Sequence, residues 1–325
     1  MLLHVVHETT YDYAPAVKTA QHMAHLRPAD HGTQRLLRHE LTITPTPSQR
    51  SEVRDVFGNC RCFFGSQAAH AHLRVGADSL VKTSQPAPPR STMAWDDARE
   101  RMRYHRGAAY DPAAEFLFAS PYVPRHEDFA AYARPSFPAG RALIDCARDL
   151  MHRIHADFSY ESAATDANTP ALESLALRKG VCQDFAHVMI GCLRSLGLPA
   201  RYVSGYLLTE PPPGQTKLVG SDASHAWASV YLPEKEGPGE WADLDPTNDR
   251  APGEDYVTVA VGRDFSDVSP VRGVIHGGTH HTLRVAVTVT ALAEADADAD
   301  AKTRTRTETE PAPTIAADPT RKERP

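Results

Sequence analysis

One stripe of apolar residues constrains this chain most. Phe185, Met189, Cys192 and Leu196 recur at helical spacing, in a segment that begins near Cys182. Gly197 supplies a stop at its end and Pro199 prevents continuation. Three strand-like runs follow, Arg201 to Thr209, His225 to Leu232 and Trp241 to Asp245, and a last apolar alternation, Leu283 to Val289, closes the part expected to be ordered. A further helical pattern precedes the stripe, from about residue 138 through Ala142–Met151. Helices first and antiparallel strands afterwards predict an α+β class.

Residues 1–84 read differently. Leu41-Thr42-Ile43-Thr44 alternates before Pro45, Asp55-Val56-Phe57-Gly58-Asn59 holds a turn signal, and Leu73-Arg74-Val75 follows. This predicts a small antiparallel β domain. Residues 85–95, with Pro86, Pro88 and Pro89, form a linker to a core at 96–290. Residues 291–325 hold short-period repeats of Ala with Asp and of Thr with Arg or Glu, and are expected to be a disordered tail.

The 325 residues suit about two domains, and with 41% apolar and 23% charged residues the composition is that of a chain able to bury a core. A net charge of −6 excludes a broadly basic nucleic-acid binder, so no nucleic-acid partner is expected. No apolar run reaches the roughly 18 residues of a membrane span. The opening Met1–Glu8 lacks a basic region and a long apolar run, so the expectation is a cytoplasmic protein without a signal peptide or membrane contact.

Five cysteines, Cys60, Cys62, Cys146, Cys182 and Cys192, are too few and too irregular for a disulfide framework. Cys192 falls on the apolar stripe and reads as core. Cys182 opens the helix, where unpaired N–H groups and the positive end of the dipole favour thiolate, the nucleophilic form. A nucleophilic thiol needs a base and a group to orient it. His187 lies five residues on, some 140° around the helix, and is poorly placed. His225 starts a strand in which Ala226, Ala228, Val230 and Leu232 form the core face and His225, Trp227, Ser229 and Tyr231 the other. On the next strand Trp241, Asp243 and Asp245 face the side of His225. A hairpin centred near residues 236–237 puts about residue 248 opposite His225, which mildly favours Asp245 over Asp243.

The stretches Gly180–His187, Arg201–Tyr206, Ser224-His225-Ala226-Trp227 and Asp245-Pro246-Thr247-Asn248 resemble, in order, the core of bacterial transglutaminase-like proteins. The resemblance continues through Gly262–Val268. Tyr11-Asp12-Tyr13 and Asp55–Asn59 look like the β domain that accompanies this core. It covers most of residues 1–290 and implies a papain-like architecture, with a nucleophile helix packed against an antiparallel sheet. The family triad maps onto Cys182, His225 and Asp245. The implied chemistry is acyl transfer from a peptide or glutamine amide of a protein or peptide substrate, through a thioester taken by an amine or by water. No cofactor is implied. Animal transglutaminases use a tryptophan upstream of the nucleophile for the oxyanion, but no Trp lies between Trp95 and Trp227. The Cys182 N–H and the Tyr160 hydroxyl are the donors left to consider. The rival function on this fold is a noncatalytic interaction module.

A metal is not expected in the chemistry. A separate structural site is conceivable if residues 60–72 form a hairpin centred on residue 66. Cys60 would then lie opposite His72 and Cys62 opposite His70, four ligands on one face of the kind zinc takes.

Overall fold

A computed structural model describes residues 1–104, 106–107, 110–209 and 224–293. The chain opens with β1 (Leu2–Ala24), then β2 (Gln34–Thr44), β3 (Gln49–Arg54), β4 (Cys60–Ser66) and β5 (His70–Thr83). Helices α1 (Trp95–Arg101), α2 (Glu127–Ala133) and α3 (Leu143–Asp157) follow. Next come the two-residue strand β6 (Ser159–Tyr160), α4 (Ala171–Leu177), the equally short β7 (Lys179–Gly180) and α5 (Cys182–Ser195). Strands β8 (Ala200–Leu207), β9 (Ser224–Leu232), β10 (Glu240–Leu244) and β11 (Tyr256–Gly262) make an antiparallel sheet in the order β10-β9-β8-β11. The short α6 (Phe265–Val268) leads into β12 (Val271–Gly277) and β13 (His280–Leu292).

The 23-residue β1 organises the first sheet. β4 pairs with Ala20–Ala24 and β5 with Leu2–Val17, both antiparallel, so they follow one another along β1 rather than folding back on each other. This overturns the hairpin expected at residue 66. Cys62 lies beside Ala24 and Glu52, while His72 lies beside Asp12, so Cys60, Cys62, His70 and His72 are strung along a line and do not converge. Gly65 and Ser66, read as turn residues, stay in the ladder with β1. β12 and β13 run along β1 in the same way, pairing with Val17–Ala24 and Leu2–Ala14. The last alternating run, Leu283 to Val289, therefore pairs in the first sheet, while Val287 and Val289 also pack into the core shared with α5. Alternation marks a strand but not its partner, and β1 offers two edges. Ala291 and Leu292 still pair with β1, which corrects the tail boundary expected at 291. Residues 294–325 lie outside the described residues.

The apolar stripe of α5 packs on the face of the second sheet that carries Ala226, Ala228 and Val230, within one core that also takes in Leu3, Val5 and Val289 of the first sheet. Full burial of Phe185 and Met189 is worth about 1.5–3 kcal/mol each. The helix ends as its sequence predicts. Gly197 is left-handed (φ 82°), its N–H bonds Arg194 and the Leu198 N–H bonds Leu193, the two bonds of a Schellman turn.

Two side-chain amides of the first sheet close the free edge of β11. Gln34 donates to the Thr258 carbonyl at 2.8 Å and accepts from its N–H at 2.7 Å. Asn59 does the same at Val261, at 2.7 and 2.8 Å. Each amide stands in for a neighbouring strand, which protects an edge that would otherwise pair elsewhere. Asn59 is held by Asp55, whose carboxylate accepts from the N–H of Phe57 and of Asn59 and from the Asn59 side chain. Gly58, at φ 87°, makes that turn possible.

Candidate active site

Cys182 is the first residue of α5, and the chain reaches it through a constrained approach. Gly180 has φ 154°, and a Cβ there would lie 2.7 Å from Asp184 Cγ. Asp184 is buried at the third helical position. Its carboxylate accepts from the Val181 N–H at 2.8 Å, from Ser174 Oγ at 2.9 Å and from Thr165 Oγ1 at 2.7 Å. An acid at that position matches the positive end of the helix and ties down the residue preceding it. The first helical N–H groups, Cys182 among them, have no acceptor within the helix.

His225 sits at the start of β9 opposite Gly205 of β8. Gly205 is required by packing, since a Cβ there would lie 2.7 Å from Cη2 of the fully buried Trp227. The imidazole lies against Trp227 and Tyr256, with ring centres 6.1 and 5.9 Å away. Its Nε2 is 2.7 Å from Asp245 Oδ2, in a pair whose side chains are 10% and 0% exposed.

Asp245 is surrounded by donors. Besides His225, Oδ2 accepts from Asn248 Nδ2 and from the Tyr256 hydroxyl, both at 2.7 Å, and Oδ1 accepts from the N–H of Thr247 at 2.9 Å and of Asn248 at 3.3 Å. The local sequence builds this turn. Pro246 pre-sets the bend, Asp249 adopts φ 52°, and Arg250 returns to pair with the Asp245 backbone. Asp243 shares the strand face of Asp245 but has another neighbour, accepting from Trp227 Nε1 at 3.2 Å. The ladder of β9 and β10 runs from Glu240–Leu232 to Leu244–Ala228, so Asp243 is still in register while Asp245 lies just past its end.

Burial alone would lower His225, but the hydrogen bond to Asp245 and the neighbouring Cys182 sulfur and Asp245 carboxylate outweigh it and push the imidazole up to about 10. Burial works against the Asp245 carboxylate too, yet His225, Asn248 and Tyr256 hold it below the usual range. With Nε2 engaged by Asp245, Nδ1 is the ring nitrogen left for Cys182. Tyr160 lies beside Gly180 where β6 pairs with β7. It is 58% exposed; partial burial, then the neighbouring Cys182 and Asp184, raise its hydroxyl. His187 is elsewhere, fully buried and accepting from the Phe265 N–H at 3.2 Å, and burial lowers it to about 4.

The structure thus brings Cys182, His225 and Asp245 together, sets Tyr160 beside them and keeps His187 apart. Asp184, Asn248 and Tyr256 were not singled out from sequence. Asp184 carried a signal, an acid in the first turn of a helix. Tyr256 carried none, because it reaches Asp245 from a different strand.

A papain-like helix and sheet joined to an N-terminal β sheet define a class of protein. Residues 3–82 match the bacterial transglutaminase-like N-terminal region and residues 138–246 match the transglutaminase-like superfamily, and the chain belongs to that superfamily. It is 40% identical over 284 residues to an uncharacterised protein of Mycobacterium tuberculosis, covering 86% of this chain and 89% of that one. It is 33% identical over 133 residues to a protein-glutamine gamma-glutamyltransferase of Pseudomonas aeruginosa, a match covering 40% of this chain and 19% of the other. A provisionally assigned cysteine protease of Cytophaga hutchinsonii superposes with a TM-score of 0.68 at 21% identity, over 90% of this chain and 91% of that one, and so shares the fold.

Proposed function

We propose that this chain is a cysteine-dependent acyltransferase acting on amide bonds of a protein or peptide. The observation that carries the reading is the 2.7 Å contact of His225 with a buried, five-donor Asp245, on an imidazole that neighbours Cys182 at a helix start. Superfamily membership supports it.

In this mechanism the Cys182 thiolate adds to the amide carbonyl carbon, and the oxyanion forms against the Cys182 N–H with Tyr160 as the second donor. The C–N bond then breaks. His225 passes its proton to the departing amine or ammonia, leaving a thioester. An amine or water attacks the thioester, His225 takes its proton, and the thiolate leaves with the product formed. Asp245 keeps the imidazole in one orientation and stabilises its cation throughout.

Mass spectrometry of glutamine-containing and ordinary peptides, incubated with and without a primary amine, tests the reading. Amine incorporation, deamidation or chain cleavage that disappears in Cys182→Ala is the expected result. Unchanged peptides in every arm would favour a noncatalytic module instead.

A further inference from the structure

Two arginines stand at this core, Arg194 buried and Arg201 partly buried, and they are treated differently. Arg194, near the end of α5, is satisfied on every side. Its Nε and Nη2 donate to the Ala200 carbonyl, Nη2 also to the Arg263 carbonyl, and Nη1 to the Phe118 carbonyl and Ser120 Oγ, at 2.6–3.2 Å. Arg201, on β8, has a buried Nε with no acceptor among the described residues. Its guanidinium lies flat on Trp241, 4.2 Å from the ring centre, and Asp243 is the carboxylate that offsets its charge. That Nε is sealed from solvent, but Nη1 and Nη2 also have no hydrogen-bond acceptor among the described residues, and a donor fork of this kind suits an external partner.

That partner has room. Arg201 lines a cavity of about 1050 Å³ between the outer face of the second sheet and the first sheet. Trp241 and Phe57 give it partly exposed flat apolar walls over the buried Trp227 and Tyr256, and its charged lining is four arginines, Arg27, Arg54, Arg148 and Arg201, against Asp30 and Asp243. Neither Cys182 nor His225 nor Asp245 lines it; Trp227 and Tyr256 stand between. The lining is therefore net positive in a chain of net charge −6.

We propose that this cavity is a binding site for a small organic carboxylate with a flat apolar body, whose carboxylate meets the Arg201 guanidinium and whose body packs against the partly exposed Trp241 and Phe57. The planar fork of Arg201 matches a carboxylate with two parallel hydrogen bonds, and its stacking on Trp241 fixes the plane in which the fork lies. The volume exceeds that of an inorganic ion and suits a ligand of drug-like size. The site is separate from the acyl-transfer centre and holds whether or not that centre turns over.

Calorimetric titration of the full chain with hippurate tests the proposal, and fluorescence follows it, because two of the chain's three tryptophans line the cavity. The expected result is saturable binding, equally strong in protein alkylated at Cys182, and weaker by about tenfold or more both in Arg201→Gln and for the neutral amide hippuramide on the unaltered protein. The hippuramide comparison needs no variant, so it stands even where Arg201→Gln folds poorly. No saturation up to about 10 mM, equal affinity for hippurate and hippuramide, or loss of binding on Cys182 alkylation would overturn the site.

Discussion

Asp243 and Asp245 lie two residues apart on one strand face and live in different surroundings. Asp245 accepts five hydrogen bonds, one of them from His225. Asp243 accepts the Trp227 indole N–H and looks into the cavity of Arg201. Strand parity makes the two equivalent; the end of the ladder separates them. Leu244 is the last residue paired with β9, so the chain at Asp245 is free to turn, and the turn supplies Thr247 and Asn248 as donors. One side of the sheet end thus holds a histidine against a buried carboxylate, and the other leaves the Arg201 guanidinium at the edge of a cavity.

The widest expected separation is in turnover. Cys182→Ala should abolish it and leave the melting temperature within about two degrees of the parent, since the side chain contributes little packing at a partly exposed helix start. Next, Asp245→Asn should cost about a thousandfold or more in initial rate and Asp243→Asn about tenfold or less, on the same amide substrate. Equal losses would erase the distinction between the two aspartates.

Gly180→Ala probes the approach to the nucleophile. A Cβ against Asp184 at a φ that favours glycine should destabilise by about 2–4 kcal/mol, read as a lower denaturant midpoint. An unchanged midpoint would show that Asp184 moves aside freely.

The histidine itself offers a finer test. The His225 imidazolium is raised to about 10, so NMR titration should show it charged through neutral pH, and Asp245→Asn should lower it because burial then goes less opposed. A raised histidine adds stability that is full below its ordinary value near 6.5 and lost as pH climbs through about 10. The stability gap between parent and Asp245→Asn should therefore narrow over that window. Tyr256→Phe, which removes one of five donors but keeps the carboxylate charge, should shift the histidine least. A histidine titrating near its ordinary value in the parent would contradict the pairing.

Much of the site was legible in sequence because its signals are local. Cys182 follows Gly180-Val181 at a helix start, His225 leads an alternating strand, and Asp245 heads a Pro-Thr-Asn turn. The sheet carrying Cys60, Cys62, His70 and His72 was misread because its pairing is nonlocal. Gly65 and Ser66 look like a turn, but each edge of a 23-residue strand holds two successive partners, and no local pattern reports that. The same limit hid Tyr256 and grouped Leu283–Val289 with residues 96–290 when its partner is β1. Arg201 looked like an ordinary strand residue, since only packing reveals a buried donor without an acceptor.

The central claim is that Cys182 carries the acyl group. Acid quenching during turnover of a peptide amide, followed by intact-mass measurement and peptide mapping, tests it directly. The account predicts a mass gain equal to the acyl fragment, located on the peptide that contains Cys182, removed by hydroxylamine and missing in His225→Ala. Turnover without any adduct at Cys182, or an adduct on Cys60, Cys62, Cys146 or Cys192 in its place, would contradict it.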